Sequence, residues 1–243
     1  MGKAGTQEKT RTRRHANRLP AEKRISDILA AARQVFTERG YDDALISEIA
    51  ERAGVVEGSI YRFFTNKRDL LVKVVEIWYE QMLEEDRAQF AAVKGTWNQI
   101  RFVVLQHLYS IRREPGLSRL VFQKLRSEPN YRETRLFQLN QSYTHRIIDI
   151  VRAAVASGEF RPDVSAGLVR DLIFGGVEHR TWAFLRNEGD FDPVALADDL
   201  ANMIYRALAV ADRVAPDQAE LIARRLEDVA DRLERVAARE AKA

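Results

Sequence analysis

From residue 21 onward, apolar side chains return at every third or fourth position. Ile25, Ile28, Leu29, Ala32, Val35 and Phe36 share one face of a helix, and Pro20 and Glu22 open that helix. Gly40 is expected to close it, because a left-handed residue costs least there when it is glycine. Ile46, Ile49, Ala50 and Ala53 predict a short second helix that Gly54 stops, and a third follows over roughly Glu57–Phe64. Asn66 reads as an N-cap with Asp69 three residues on, so a long helix is expected from Lys67 towards Phe90. Beyond it, Gly95–Thr96 and Pro115–Gly116 bound an amphipathic stretch carrying Ile100, Val103, Val104, Leu108 and Ile111. Shorter and longer helices are predicted over Leu117–Arg126 and Pro129–Ala156, then from Pro162–Asp163 to about Arg186. Asp192–Pro193 starts another and Pro216 a last one. No strand-like alternation and no Asn-Gly hairpin signal occurs, so the chain reads as all-α, with nine or ten helices.

Composition narrows the function. The 243 residues include no cysteine, which removes disulfides, thiolate metal sites and a cysteine nucleophile. With 46% hydrophobic and 31% charged residues the chain is expected to fold in water, and no apolar run approaches a membrane span. The N-terminus has no signal-peptide core, so a cytoplasmic location is expected. The net charge of +3 is small, but it is unevenly placed. Residues 1–20 hold Lys3, Lys9, Arg11, Arg13, Arg14 and Arg18 against Glu8, a local charge of +5, which leaves −2 for the rest. Residues 1–19 are nearly free of apolar side chains and read as a disordered basic arm. Residues 21–68 balance eight basic against eight acidic side chains.

Candidate chemistry concentrates between Ile46 and Phe64. Two short helices joined at Gly54, with small Ala50 at their closest approach and Val55 and Ile60 plugging the angle, make a helix-turn-helix. The first turn of the second helix would face base edges, and Gly58 and Ser59 are small enough to let it come close. A structural helical hairpin is the bland alternative.

The run Ala50-Glu51-Arg52-Ala53-Gly54-Val55, then Gly58-Ser59-Ile60-Tyr61-Arg62-Phe63-Phe64 and Asn66-Lys67-Arg68-Asp69-Leu70-Leu71, resembles the DNA-binding domain of TetR-family transcriptional regulators. The likeness covers about residues 22–70. It implies that Glu57–Arg62 form the recognition helix, that Tyr61 holds the DNA backbone and that Lys67 touches phosphate. Ser47, Glu57, Gly58, Ser59, Tyr61, Arg62 and Lys67 are therefore the candidate DNA contacts, with Arg13 and Arg14 of the arm reaching phosphates or the minor groove. Two positions depart from the family pattern, since its usual hydroxyl caps are Leu45 and Val56 here. A lost N-cap costs about 0.5–2 kcal/mol. Ser47 is the nearest substitute hydroxyl. Glu57 would repel phosphate, so it either accepts from a cytosine amino group or points to solvent.

The layout expected is a basic arm (1–19), a three-helix DNA-binding domain (20–66), a larger helical ligand-binding and dimerisation domain (67–212) and an accessory helix (213–243). The resemblance implies a homodimer through the helices at 163–187 and 192–211, on a palindromic double-stranded operator. Gly175-Gly176 suits such a seam, and a kink or a ligand-facing gap is the alternative. Ile222, Leu226, Val229, Leu233 and Val236 form a coiled-coil-like stripe in the last helix. Candidate pocket residues for an apolar effector are Trp78, Met82, Phe102, His107, Phe122, Phe137, Asn140, Tyr143, Phe174 and Glu178. The run Leu172–Trp182 followed by Asp190–Leu196 is similar to a C-terminal pattern in TetR relatives, some of which are fatty-acid-degradation repressors that respond to acyl-CoA. A small apolar effector, acyl-CoA-like, releasing a repressor from DNA is the reading that results. A ligand-independent architectural DNA-binding protein with a filled core is the alternative. No catalytic constellation, metal-ligand spacing or cofactor motif is found, so neither an enzyme nor a cofactor is expected.

Overall fold

The computed structural model describes residues 20–210. The basic arm, including Arg13 and Arg14, and the helix expected from Pro216 lie outside the described residues. Nine α-helices occur within that range. They are α1 (Ala21–Asp43), α2 (Ile46–Arg52), α3 (Glu57–Ile60), α4 (Lys67–Ala92), α5 (Thr96–Arg113), α6 (Pro115–Leu120), α7 (Arg135–Ala156), α8 (Ala166–Leu185) and α9 (Pro193–Leu208). A π turn follows α6 at Val121–Leu125, and a 3-10 turn at Tyr131–Glu133 precedes α7. Extended pairing among the described residues is a single antiparallel bridge between Phe160 and Ala209.

The helix bounds differ from the apolar pattern at informative places. Gly40 takes φ 77° and ψ −175°, so α1 breaks there, yet one more turn runs on to Asp43. The third helix is shorter than Glu57–Phe64. It ends at Ile60, whose carbonyl takes the N–H groups of both Phe63 and Phe64 in a tight turn. The stretch expected as one helix over Leu117–Arg126 is α6 and the π turn, closed by Arg126 N–H onto the Val121 carbonyl at 3.0 Å. The prolines at 129 and 162 do not open helices. Instead Thr134 Oγ1 accepts the Phe137 N–H at 3.1 Å and starts α7, and Ser165 Oγ accepts the Leu168 N–H at 3.3 Å and starts α8. A side-chain oxygen that satisfies an orphan donor fixes a helix start more firmly than proline's preset φ.

The described chain forms two compact units. The first holds residues up to Gln81 together with Glu114–Leu139. Its core is built from Ile28, Ala32, Val35 and Phe36 of α1, Ile49 of α2, Ile60 of α3, Leu70, Leu71 and Val75 of α4, and Leu117 of α6, all buried. Gly116 lets α6 approach α1 closely: a Cβ there would lie 2.8 Å from Thr37 Cα. The second unit holds Met82–Arg113 and the chain from Asn140 onward. Ile100, Val104 and Leu108 of α5, Ile147 and Val151 of α7, Ile173 and Val177 of α8, and Ala197 and Ala201 of α9 fill its interior. Small Ala197 and Ala201 let α9 lie against α5, where Arg101 pairs with Asp198 and Trp97 Nε1 donates to Asn202 at 2.9 Å.

Candidate functional site

The helix-turn-helix is assembled from below. Ile49 and Ala50 of α2 and Ile60 of α3 are buried, and Phe64 supports them from the following turn. Gly54 at φ 66° makes the corner. Its N–H bonds the Glu51 carbonyl at 3.0 Å, and the Val55 N–H bonds the Ala50 carbonyl at 2.9 Å, the paired closure that ends a helix on a left-handed glycine. Leu45 and Val56 occupy the N-cap positions of α2 and α3 in extended conformation, and neither helix has a side-chain cap. Asn66 caps α4: its Oδ1 accepts the Asp69 N–H at 2.9 Å, while Asp69 reaches back to the Thr65 N–H at 2.8 Å.

The candidate DNA residues of this segment lie at its surface. Ser47, Glu57, Gly58, Tyr61 and Arg62 are exposed, and Ser59 is half-buried. Nothing in the chain occupies the space a side chain at Gly58 would fill. Lys67 is already engaged: its ammonium donates to the Asp42 carbonyl at 3.0 Å and sits 4.8 Å from the centre of the Tyr41 ring. That leaves donors on the ammonium for a further acceptor. Arg52 forks onto Glu38 at 2.9 and 2.7 Å and onto Glu48 at 2.5 Å, and Arg39 adds a 3.5 Å pair to Glu48. The hydrogen bond from Arg52 holds the Glu38 carboxyl below the ordinary carboxylate range, and the two carboxylates hold the Arg52 guanidinium firmly protonated. This network locks the end of α2 to α1. Its Glu38 contact is not readable from spacing, because Glu38 and Arg52 belong to different helices; the Glu48–Arg52 pair is an i,i+4 contact within α2.

The candidate effector residues divide between the units. In the second, His107 Nδ1 lies 3.3 Å from Tyr143 Oη, and the His107 ring meets Phe174 edge-on at 5.0 Å. The Tyr143 and Phe174 centroids are 6.2 Å apart, so α5, α7 and α8 bring these three together. Phe102 packs on Phe90 at 5.9 Å, Met82 is buried, and Asn140 and Glu178 are half-buried. In the first unit, Trp78 is buried beside Tyr79, Phe137 meets Tyr131 edge-on at 5.5 Å, and Phe122 lies under Arg126 at 5.6 Å. A groove of about 760 Å³ beside α1 and α4 was not anticipated. Ile25, Leu29, Val74 and Ile77 line it, with the Arg33–Glu114 ion pair of 2.5 Å at its edge. Ile25 and Leu29 belong to the apolar stripe of α1 and read as core, yet both stay half-buried.

Among the described residues no cluster of histidine and carboxylate side chains is arranged to hold a metal, and no helix is long and apolar enough to cross a membrane.

Two family profiles match the chain: bacterial regulatory proteins, tetR family, over residues 28–74, and a tetracyclin repressor-like C-terminal domain over residues 94–208. Among characterised proteins, the fatty acid metabolism regulator protein of Bacillus subtilis (strain 168) is 26% identical over 184 residues, covering 74% of this chain and 93% of that one. The HTH-type transcriptional regulator SrpR of Pseudomonas putida is 28% identical over 159 residues, covering 64% of this chain and 74% of its own. Among solved structures, the transcriptional regulator FadR from Bacillus subtilis in complex with stearoyl-CoA superposes with a TM-score of 0.66 at 25% identity, covering 74% of this chain and 97% of that one. The helix-turn-helix, the all-helical remainder and both profile matches agree: the chain belongs to the tetR family and is a DNA-binding transcriptional regulator.

Proposed function

We propose that the protein is a homodimeric repressor that leaves its operator when a long-chain acyl-CoA binds the second unit. The observation that carries this reading is the likeness, in sequence and in fold over 74% of the chain, to a regulator crystallised with stearoyl-CoA. The cluster of His107, Tyr143 and Phe174 supports it, since a polar pair set among aromatic rings can orient a ligand whose bulk is apolar. Met82, Phe102, Asn140 and Glu178 are the other pocket candidates of this unit, while Trp78, Phe122 and Phe137 belong to the first unit and are not assigned to the effector site. On the DNA side, Ser47, Glu57, Gly58, Ser59, Tyr61, Arg62 and Lys67 face the duplex, and Arg13 and Arg14 extend the phosphate contacts. The dimer forms through α8 and α9, where Leu168, Leu172 and Met203 stand exposed. The protein acts in the cytoplasm and catalyses no reaction of its own.

The effector works by preferring the conformation in which the two recognition helices are wrongly spaced, a coupling of about 1–3 kcal/mol in typical cases. The test uses the full chain and a duplex enriched from random DNA, followed by fluorescence anisotropy. Stearoyl-CoA should weaken DNA binding roughly fivefold or more, while free CoA should not. Binding unchanged by a series of acyl-CoAs from short to long would overturn the effector assignment.

A further inference from the structure

Among the described residues of the first unit, three large apolar side chains stand in water: Leu45 (60% exposed), Val56 (74%) and Tyr61 (53%). All three lie within the helix-turn-helix. Single exposed apolar residues are common on protein surfaces, but a group confined to the nucleic-acid face is a recognition signal. The charged side chains of the same segment point the same way. Arg52 is occupied by Glu38 and Glu48, whereas Arg62 has no ionic or ring partner among the described residues. The reading face therefore offers apolar surface beside the exposed charges of Glu57 and Arg62.

Val56 is the most exposed of the three. Its backbone is extended at φ −86° and ψ 151°, and its carbonyl accepts the Ser59 N–H at 2.8 Å, so the residue is held at the entry to α3. An isopropyl group gains nothing from a phosphate oxygen. On the major-groove edge of DNA its apolar complement is the 5-methyl group of thymine. Val56 is continuous with the recognition turn, directly before exposed Glu57.

We infer that Val56 is a specificity-determining residue that packs against a thymine methyl in each operator half-site, beside the base read by Glu57. The inference rests on the reading of this unit as a duplex-DNA binder. It exchanges a sequence-blind contact, hydroxyl to phosphate, for a sequence-bearing one. Leu45 adds apolar surface at the start of α2 but is not assigned a base.

The test uses the full chain and its Val56→Ser and Val56→Ala variants. Sites are selected from random duplex DNA, and each thymine of the wild-type site is then replaced by deoxyuridine, which removes the methyl alone. With the wild type, one thymine per half-site should weaken binding roughly fourfold on replacement, the worth of one buried methyl group. With Val56→Ser the same replacement should be silent, and selection at that position should relax. Equal binding of the uridine and thymine duplexes at every position would overturn the inference, as would an unchanged selected sequence for Val56→Ser. Failure of the wild type to enrich any duplex sequence would overturn the DNA-binding reading itself. Because Val56 is exposed at the N-cap position of α3, Val56→Ala should melt with the wild type and Val56→Ser, which regains a capping hydroxyl, at or above it, so a reading defect in either variant is separated from a folding one.

Discussion

Replacing Gly175 and Gly176 together by alanine sets two consequences of the same pair against each other. Both lie inside α8, and within 4 Å of a Cβ built on either there is no atom beyond the helix's own backbone. In the isolated subunit the added methyl groups meet no obstacle. Alanine favours a helix interior over glycine by about 0.8–1 kcal/mol per residue, so the pair should stabilise the subunit by about 2 kcal/mol. At a two-fold seam the outcome reverses. Each subunit presents the same two positions to its partner, and overfilling a close-packed contact costs about 1–3 kcal/mol each time it occurs. Counted at the low end as one overfilled contact in each of the two symmetric copies, the loss is about 2 kcal/mol, roughly thirtyfold in the dimer dissociation constant. A dilution series by sedimentation velocity reads the association. Urea unfolding at concentrations below the dimer constant reads the subunit. The expected pattern is a more stable subunit and a weaker dimer. A more stable subunit with an unchanged dimer constant would refute the seam and place the glycines in solvent.

Two further outcomes follow from the geometry, and a third from the charge of residues 1–18. Gly116→Ala should lower the urea midpoint, because its Cβ would meet Thr37 Cα at 2.8 Å and the Thr37 carbonyl oxygen at 2.9 Å; the cost of about 1–3 kcal/mol exceeds the helix gain, and an unchanged midpoint would contradict that packing. Arg52→Gln should return the Glu38 carboxyl to its ordinary range. The folded value is depressed, so the stabilisation is in place at neutral pH and fades as acid takes the pH down through it; carbon-detected titration of Glu38 checks this, and an identical curve in the variant would refute it. Deleting residues 1–18 should weaken DNA binding and flatten its salt dependence by roughly 0.9 in log–log slope per lost phosphate contact, whereas a full slope in the truncated chain would assign the attraction elsewhere.

Local chemistry carried much of the fold. The turn at Gly54, the Asn66–Asp69 cap and the Asp192–Pro193 start are each written in a few adjacent residues, and each takes the expected form. Thr134 and Ser165 were overshadowed by nearby prolines, although a hydroxyl that caps is the stronger signal. What the pattern could not carry is non-local. Apolar spacing does not say that Glu114–Leu139 folds with residues 20–81, nor that Arg33 pairs with Glu114. The same holds for the candidate site. The motif located the helix-turn-helix, but the occupation of Lys67 by the Asp42 carbonyl and of Arg52 by Glu38 depends on α1 lying across their path, whereas the Glu48–Arg52 pair is set by i,i+4 spacing within α2.

The recognition turn is short and uncapped, and it is held by Ile60 and Phe64 beneath it while Val56, Glu57, Gly58 and Tyr61 point away. The residues that keep the turn folded and the residues it exposes are thus different sets. A change on the outer set leaves the inner anchors untouched, so with the reading role proposed above, drift in operator preference costs no buried packing. Duplicated copies of such a regulator can part company on DNA by single outward substitutions, long before their stability or assembly diverges.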